Sequence, residues 1–125
     1  MPHLTLEYTS NLSEKGDFRF LFRAFHYLLT EILSTELGTC KSRAVCFDDY
    51  YVGGGEDNAF VHVNLGILSG RSEEQLKTIS RSIVLVLKKH FNDFIVRKKI
   101  NLQISIEIRE LKNYFKYTDI NNLLF

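Results

Sequence analysis

The order of strand-like and helix-like segments constrains the fold of this 125-residue chain more than any other feature. Residues 2–8 alternate between apolar and polar side chains, which is typical of a half-buried strand. Residues 18–33 carry apolar side chains at helical spacing, and residues 40–52 are predicted to form a second strand. A helix between two strands favours a βαβ unit with parallel strands and a right-handed crossover.

The second half of the chain repeats this order. Residues 58–68 alternate, residues 76–94 carry a second apolar helical stripe, and residues 101–111 alternate again. Ser72 and Gln75 have the spacing of a capping box, which predicts where this second helix begins. A second βαβ unit is therefore expected.

The two units predict an α+β fold, in which a four-stranded sheet carries two helices on one face. We expect a single domain over residues 1–125, with halves at about 1–52 and 58–111 and a C-terminal tail at 112–125. The glycine-rich stretch 53–57 between the halves is predicted to be a turn, because glycine tolerates positive φ angles.

Three smaller signals concern the first helix. Residues 9–16 are polar and are predicted to form a loop. Asp17 is a suitable N-cap for the helix that follows. Gly38 is predicted to end that helix, since glycine is the usual residue at a C-terminal cap.

Two helices can cover only one face of the sheet, so the other face needs a partner. Another copy of the chain is the simplest partner for such a face. The tail ends in NLLF at 122–125, and it is expected to reach across the interface between copies. The alternative is a strand or turn that packs on its own domain.

Composition excludes several functional classes. Sixteen basic and fifteen acidic residues leave the net charge near zero, which argues against a nucleic-acid-binding surface spread over the molecule. No apolar run reaches the roughly 18 residues of a membrane span, and the N-terminus does not resemble a signal peptide. We therefore expect a cytoplasmic protein. Cys40 and Cys46 would lie roughly 20 Å apart in an extended strand, too far for a disulfide.

Familiar catalytic signatures are absent from the sequence. There is no Gly-x-Ser-x-Gly motif, phosphate-binding loop or dinucleotide fingerprint. The four histidines lack the spacing of metal ligands, although His3 and His62 lie on predicted strands and could border a pocket. No metal site is predicted.

Pro2 is the only proline of the chain, and it stands at the start of a strand, where proline is a poor choice. An initiator methionine is generally removed before a small residue such as proline, which would leave a secondary amine at the N-terminus. In an apolar pocket with cationic neighbours, the pKa of that amine should fall from about 8 toward neutrality. Pro2 could then act as a general base. From the residues alone, a chain start without a chemical role remains the more ordinary interpretation.

Three cations could bind an anionic ligand. Lys41 and Arg43 lie at the start of the second strand, and Arg71 precedes a helix N-terminus, where the helix dipole repels a positive charge. An anion, especially a carboxylate, would be attracted both to Arg71 and to the free N–H groups of the helix. The alternative for Arg71 is a solvated surface position.

Three stretches of sequence together resemble one known family. They are MPHLTLEYTSNL at 1–12, KSRAVCFDDYYVGGGEDNAFVHVNLGILSGRS at 41–72 and FKYTDINNLLF at 115–125. The combination resembles the 5-carboxymethyl-2-hydroxymuconate isomerase family of the tautomerase superfamily. The most specific pieces are MPH at the start, AFVH at 59–62 and GRS at 70–72.

The resemblance implies a homotrimeric isomerase that works without a metal or cofactor, in the catabolism of aromatic compounds. It implies that Pro2 is the acid–base catalyst, which moves a proton within an unsaturated 2-hydroxy or 2-oxo dicarboxylate or tricarboxylate. It also implies that Lys41, Arg43 and Arg71 bind the substrate's carboxylates and stabilise charge on the 2-oxygen.

The chain departs from the family's pattern in one place. Members often carry arginine where this chain has Lys41, and lysine cannot form the planar two-point contact with a carboxylate. The exact substrate is therefore left open. Two alternatives remain: a keto–enol tautomerase of the phenylpyruvate type, and a non-catalytic trimeric protein of the same fold that binds small molecules.

Overall fold

The computed structural model describes residues 1–117. It contains four strands, two α-helices and two short 3₁₀ helices. These elements are β1 His3–Thr9, a 3₁₀ helix Ser10–Lys15, α1 Arg19–Leu33, a 3₁₀ helix Leu37–Thr39, β2 Lys41–Phe47, β3 Asn58–Ile67, α2 Glu73–Lys98 and β4 Asn101–Glu110.

The four strands form one mixed sheet in the order β2-β1-β3-β4. The strands of each β-α-β unit are parallel, β1 with β2 and β3 with β4. The two units meet in the middle of the sheet, where β1 and β3 pair antiparallel. The predicted α+β fold and both parallel pairs are confirmed.

Both helices pack on one face of the sheet and form the core with it. The alternation of β1 and β3 places every second side chain on this face, where it is buried against the apolar stripes of α1 and α2. The largest fully buried side chains are Phe25, Phe91, Leu4, Leu6, Leu12, Leu29, Leu65, Ile79, Ile83, Leu87, Val61 and Val63.

The other face of the sheet is not covered by any described element of the chain. We call it the open face, and it presents His3, Thr5 and Glu7 of β1 and His62 of β3 as half-buried side chains. Ser105 of β4 is exposed there and hydrogen-bonds Nδ1 of His62 at 2.7 Å. This is the uncovered face that the two-helix arrangement predicted.

The start of α2 is confirmed by its capping box. The hydroxyl of Ser72 accepts the backbone N–H of Gln75, and the Gln75 side chain accepts the backbone N–H of Ser72. Two of the unpaired N–H groups at the helix start are satisfied in this way. The residues just before α2, including Arg71, are thereby held in a defined conformation.

The end of α1 differs from the prediction. The helix ends at Leu33, and Ser34 takes the left-handed conformation with a φ of 56°. Gly38 lies in the 3₁₀ helix Leu37–Thr39, so its assignment as the C-terminal cap was wrong. No glycine caps this end of the helix. Instead Arg71, which is distant in sequence, donates a hydrogen bond to the carbonyl of Leu33.

The end of β2 also differs from the prediction. The strand ends at Phe47 rather than at residue 52. It lies at the edge of the sheet and pairs only with β1, whose last residue, Thr9, is opposite Phe47. Beyond Thr9 the chain turns into a 3₁₀ helix, so residues 48–52 have no strand to pair with.

Three further predictions concern the chain before α1 and the C-terminus. The cap position of α1 is Phe18 rather than Asp17, although the Asp17 carboxylate accepts the backbone N–H of Arg19 at 3.3 Å. The predicted polar loop at 9–16 contains a 3₁₀ helix instead. The end of the tail, NLLF at 122–125, lies outside the described residues.

Candidate active site

Pro2 lies immediately before β1, and it is buried. Its carbonyl accepts the backbone N–H of Lys41 at 3.1 Å, which joins the starts of β1 and β2. Met1 is present, so the Pro2 nitrogen is in a peptide bond and the α-amino group belongs to Met1. The burial of that amino group and the charges around it therefore indicate the environment of an amine at the start of β1.

The α-amino group lies among positive charges. Its pKa is lowered from the ordinary value, first by burial and then by the charges of Arg71, Lys116 and Lys41, in that order. Cys40 acts weakly in the opposite direction. The structure thus brings two of the predicted cations, Arg71 and Lys41, close enough to act on the amino group of Met1, the residue before Pro2.

Arg71 is held by the C-terminal end of α1. One of its guanidinium nitrogens donates to the carbonyl of Leu33 at 3.1 Å and to the hydroxyl of Thr35 at 3.5 Å. The C-terminal end of a helix attracts positive charge, which offsets the unfavourable position of Arg71 before α2. Arg71 is half-buried and fixed in place, unlike the solvated surface arginine of the alternative interpretation.

Lys41 and Arg43 lie two residues apart on β2, where they pair with His3 and Thr5 of β1. The ammonium of Lys41 donates to the carbonyl of Thr39 at 2.9 Å. Burial and then the neighbouring Lys116 lower the pKa of Lys41. A positive group that is partly desolvated in this way has a strong preference for an anionic partner.

Arg43 is connected to the C-terminal segment through His3. Its guanidinium lies 3.0 Å from Nδ1 of His3, while Nε2 of the same ring lies 2.9 Å from the hydroxyl of Tyr114. Because a guanidinium only donates, Nδ1 must accept and the ring proton is on Nε2. Burial, Arg43 and Lys41 lower the pKa of His3, in agreement with a neutral ring.

The predicted histidines therefore differ in position. His3 lies beside the predicted cations, as part of the hydrogen-bonded chain from Arg43 to Tyr114. His62 pairs with Glu7, four residues further along β1. Of these two histidines, His3 alone hydrogen-bonds a predicted site residue among the bonds described for residues 1–117.

Sequence reasoning missed Lys116 and the anchoring role of Thr35. Lys116 follows β4 in an irregular segment, and its ammonium lies 2.9 Å from the sulfur of Met1. No periodicity or spacing indicates this position, because the segment after residue 111 has neither. Its one signal is membership of the stretch FKY at 115–117, which is part of the family resemblance.

A cavity of about 460 Å³ lies at the opposite end of β1 from Pro2. It is lined by the β2–β3 connection, including the carboxylates of Asp48, Glu56 and Asp57. Three carboxylates repel an anionic ligand, so this cavity does not suit the substrates that the cations near Pro2 would attract.

The described residues contain neither a metal-ion cluster nor a membrane-spanning helix. Within residues 1–117, no group of three or more histidine, cysteine or acidic side chains is arranged to hold a metal ion. Over the same residues, neither α-helix combines the length and apolar character of a membrane span.

Comparison with known proteins places the chain in a family. The sequence model of the 5-carboxymethyl-2-hydroxymuconate isomerase family matches residues 2–124. A 5-carboxymethyl-2-hydroxymuconate Delta-isomerase from Escherichia coli is 27% identical over 124 residues, which cover 98% of each chain. This similarity extends over almost the whole length of both proteins.

Solved structures support the same assignment. The crystal structure of a 5-carboxymethyl-2-hydroxymuconate isomerase from Deinococcus radiodurans R1 is 32% identical, with a TM-score of 0.83 over 96% of this chain and 91% of that one. A fused wild-type 4-OT, a symmetric trimer, has a TM-score of 0.64 over 86% of this chain and 85% of that one. At 13% identity the latter shows the shared tautomerase fold alone. The chain belongs to the 5-carboxymethyl-2-hydroxymuconate isomerase family, a family of isomerases.

Proposed function

We propose that the protein moves a proton within an unsaturated 2-hydroxy or 2-oxo dicarboxylate or tricarboxylate, such as 5-carboxymethyl-2-hydroxymuconate, and that it needs no cofactor. The observation that carries this proposal is the group of cations around the start of β1. Arg71, Lys116 and Lys41 all act on an amine at this place, and such an arrangement attracts a substrate with several carboxylates.

Pro2 is the proposed acid–base group. Removal of Met1 converts its nitrogen from an amide into a secondary amine with a free electron pair. In the unprotonated form this amine takes the proton of the 2-hydroxyl, and the O–H electrons form the 2-oxo double bond. The double bonds of the diene shift along the chain, and the protonated amine returns the proton to the distant carbon, where a C–H bond forms.

The cations have two proposed roles in this reaction. Arg71, Lys41 and Arg43 bind the carboxylates and so orient the diene against Pro2. A positive charge near the 2-oxygen also stabilises the negative charge that develops there as its proton leaves. Arg71 is the best-placed candidate for this second role, because among the neighbouring charges it has the largest effect on the amine.

The pH dependence of kcat/KM should follow the protonation of the Pro2 amine. The surroundings lower the pKa of the amine at this place, so the reactive neutral form is populated below the ordinary value of about 8. We expect kcat/KM to rise with pH along a limb that is centred below pH 8. A limb centred above pH 8 in steady-state assays from pH 5 to pH 10 would contradict a lowered pKa.

A homotrimer is the proposed assembly, and the cytoplasm is the proposed compartment. The open face of the sheet offers a surface for other copies of the chain, and the fused 4-OT of the same fold is a symmetric trimer. Neither a nucleic acid nor a membrane is a proposed partner.

The proposal is tested by following the ketonisation of 2-hydroxymuconate by its ultraviolet absorbance, with phenylenolpyruvate as a second substrate. The protein is made without an N-terminal tag, and mass spectrometry verifies that Met1 is absent. We expect faster ketonisation of the dicarboxylate than in buffer alone. Faster turnover of phenylenolpyruvate than of 2-hydroxymuconate would favour the phenylpyruvate type instead. No acceleration of either substrate would favour the non-catalytic binding role.

A further inference from the structure

The segment after β4 is attached to the end of β3 and to the start of β1. The backbone N–H of Leu111 donates to the carbonyl of Ile67 at 2.7 Å. The Leu111 side chain occupies the space beside Gly66, where an added Cβ would come within 2.8 Å of it. Tyr114 then hydrogen-bonds His3. These contacts determine where Lys116 lies.

The ammonium of Lys116 has a poor partner in this position. It lies 2.9 Å from the thioether sulfur of Met1, and a thioether is a weak acceptor for a charged donor. Lys116 is half-buried, and neither of the ion pairs described within residues 1–117 includes it. A carboxylate oxygen would be a much stronger partner for this ammonium.

Lys116 also lies close to the groups already assigned to the site. Its charge lowers the pKa of the α-amino group, of Lys41 and of His3. The positive charges around the start of β1 therefore come from three parts of the chain: the start of β2, the turn before α2 and the C-terminal segment.

We propose that Lys116 binds a carboxylate of the substrate, at the place that the Met1 thioether occupies until Met1 is removed. This inference rests on the proposed function and deepens it. With Lys116 the site has a carboxylate-binding group on the C-terminal segment in addition to Lys41, Arg43 and Arg71. The site should therefore discriminate in favour of substrates with two or more carboxylates over those with one.

The test compares Lys116→Gln with Lys112→Gln, a matched control at an exposed position of the same segment. We expect Lys116→Gln to raise KM for 2-hydroxymuconate about tenfold, as for the loss of one charge-assisted hydrogen bond. The KM for phenylenolpyruvate should change less, and Lys116→Arg should restore binding of the dicarboxylate. The rising limb of kcat/KM should move to higher pH in Lys116→Gln, because a cation near the amine is lost.

A binding measurement separates this proposal from the proposed function. Tricarballylate, a saturated tricarboxylate, should raise the Tm of the wild type and of Lys112→Gln, and raise that of Lys116→Gln less. Binding that depends on Lys116 without any turnover by the wild type would overturn the isomerase proposal and keep this one. Equal KM values and equal Tm shifts for the two variants would overturn the role of Lys116.

A second measurement does not depend on the folding of any variant. Protein with Met1 retained should bind tricarballylate more weakly than protein with Met1 removed, because the thioether then competes for the Lys116 ammonium. Equal affinities in isothermal titration calorimetry would show that Met1 and the carboxylate do not share this place.

Discussion

Protein with an uncleaved residue before Pro2 should lose turnover by about 10²-fold to 10⁴-fold, the usual contribution of a positioned general base. The reason is electronic, since the nitrogen electron pair of a peptide bond is delocalised into the carbonyl. The measurement compares one preparation with a cleavable tag ahead of Pro2, assayed with 2-hydroxymuconate before and after cleavage. Cleavage should restore activity in the same sample.

Circular dichroism and the Tm serve as controls for correct folding in that experiment. Both should differ little between the two forms. Pro2→Ala is the second variant. It replaces the secondary amine with a primary one, so it should lower turnover less than the uncleaved residue does, while the fold is retained. An uncleaved protein that kept a third or more of the activity would rule out the Pro2 amine as the base.

Replacement of Arg71 should have the second largest effect. We expect Arg71→Gln to lower kcat/KM for 2-hydroxymuconate about 100-fold, because charge-assisted hydrogen bonds contribute about 1.5–3 kcal/mol each. The rising limb of the pH profile should move to higher pH, since Arg71 is the strongest of the charges that act on the amine. Arg81→Gln, at an exposed position of α2, is the matched control and should leave both quantities unchanged.

The same variant should also lose stability. The Leu33 carbonyl and the Thr35 hydroxyl lose their charged donor, which should lower the free energy of unfolding by about 1–3 kcal/mol. Urea denaturation measures this loss. If Arg71→Gln were destabilised but as active as Arg81→Gln, Arg71 would be a structural link between α1 and the turn before α2, and it would not bind substrate.

Much of the fold could be predicted from the sequence because it depends on local patterns. The alternation in β1 and β3, the apolar stripes of both helices and the capping box of Ser72 and Gln75 are each contained in a short stretch. The ends of α1 and β2 could not be predicted in the same way. The end of α1 involves a hydrogen bond from Arg71, which is distant in sequence. The end of β2 depends on where β1 ends.

The candidate site also combines residues that have a signal in the sequence with a residue that has none. Pro2, Lys41, Arg43 and Arg71 were named from chemistry and from the family resemblance, and their roles stay predictions. Lys116 has no local signal, because its position is determined by the contact of Leu111 with Ile67 of β3 and of Tyr114 with His3 of β1. Such contacts become visible only when the chain is folded.

The attachment of the C-terminal segment beside Met1 has a consequence for the biosynthesis of the protein. Met1 is partly covered, and its sulfur contacts Lys116, a residue that is translated 115 positions later. At 5–20 residues per second, that residue follows the N-terminus by roughly ten seconds. Aminopeptidase therefore has this interval on the nascent chain in which to remove Met1. Under the proposed roles of Pro2 and Lys116, molecules that fold before they are processed would carry their own thioether in the place of the substrate. The active fraction of a preparation would then depend on the order of these two events.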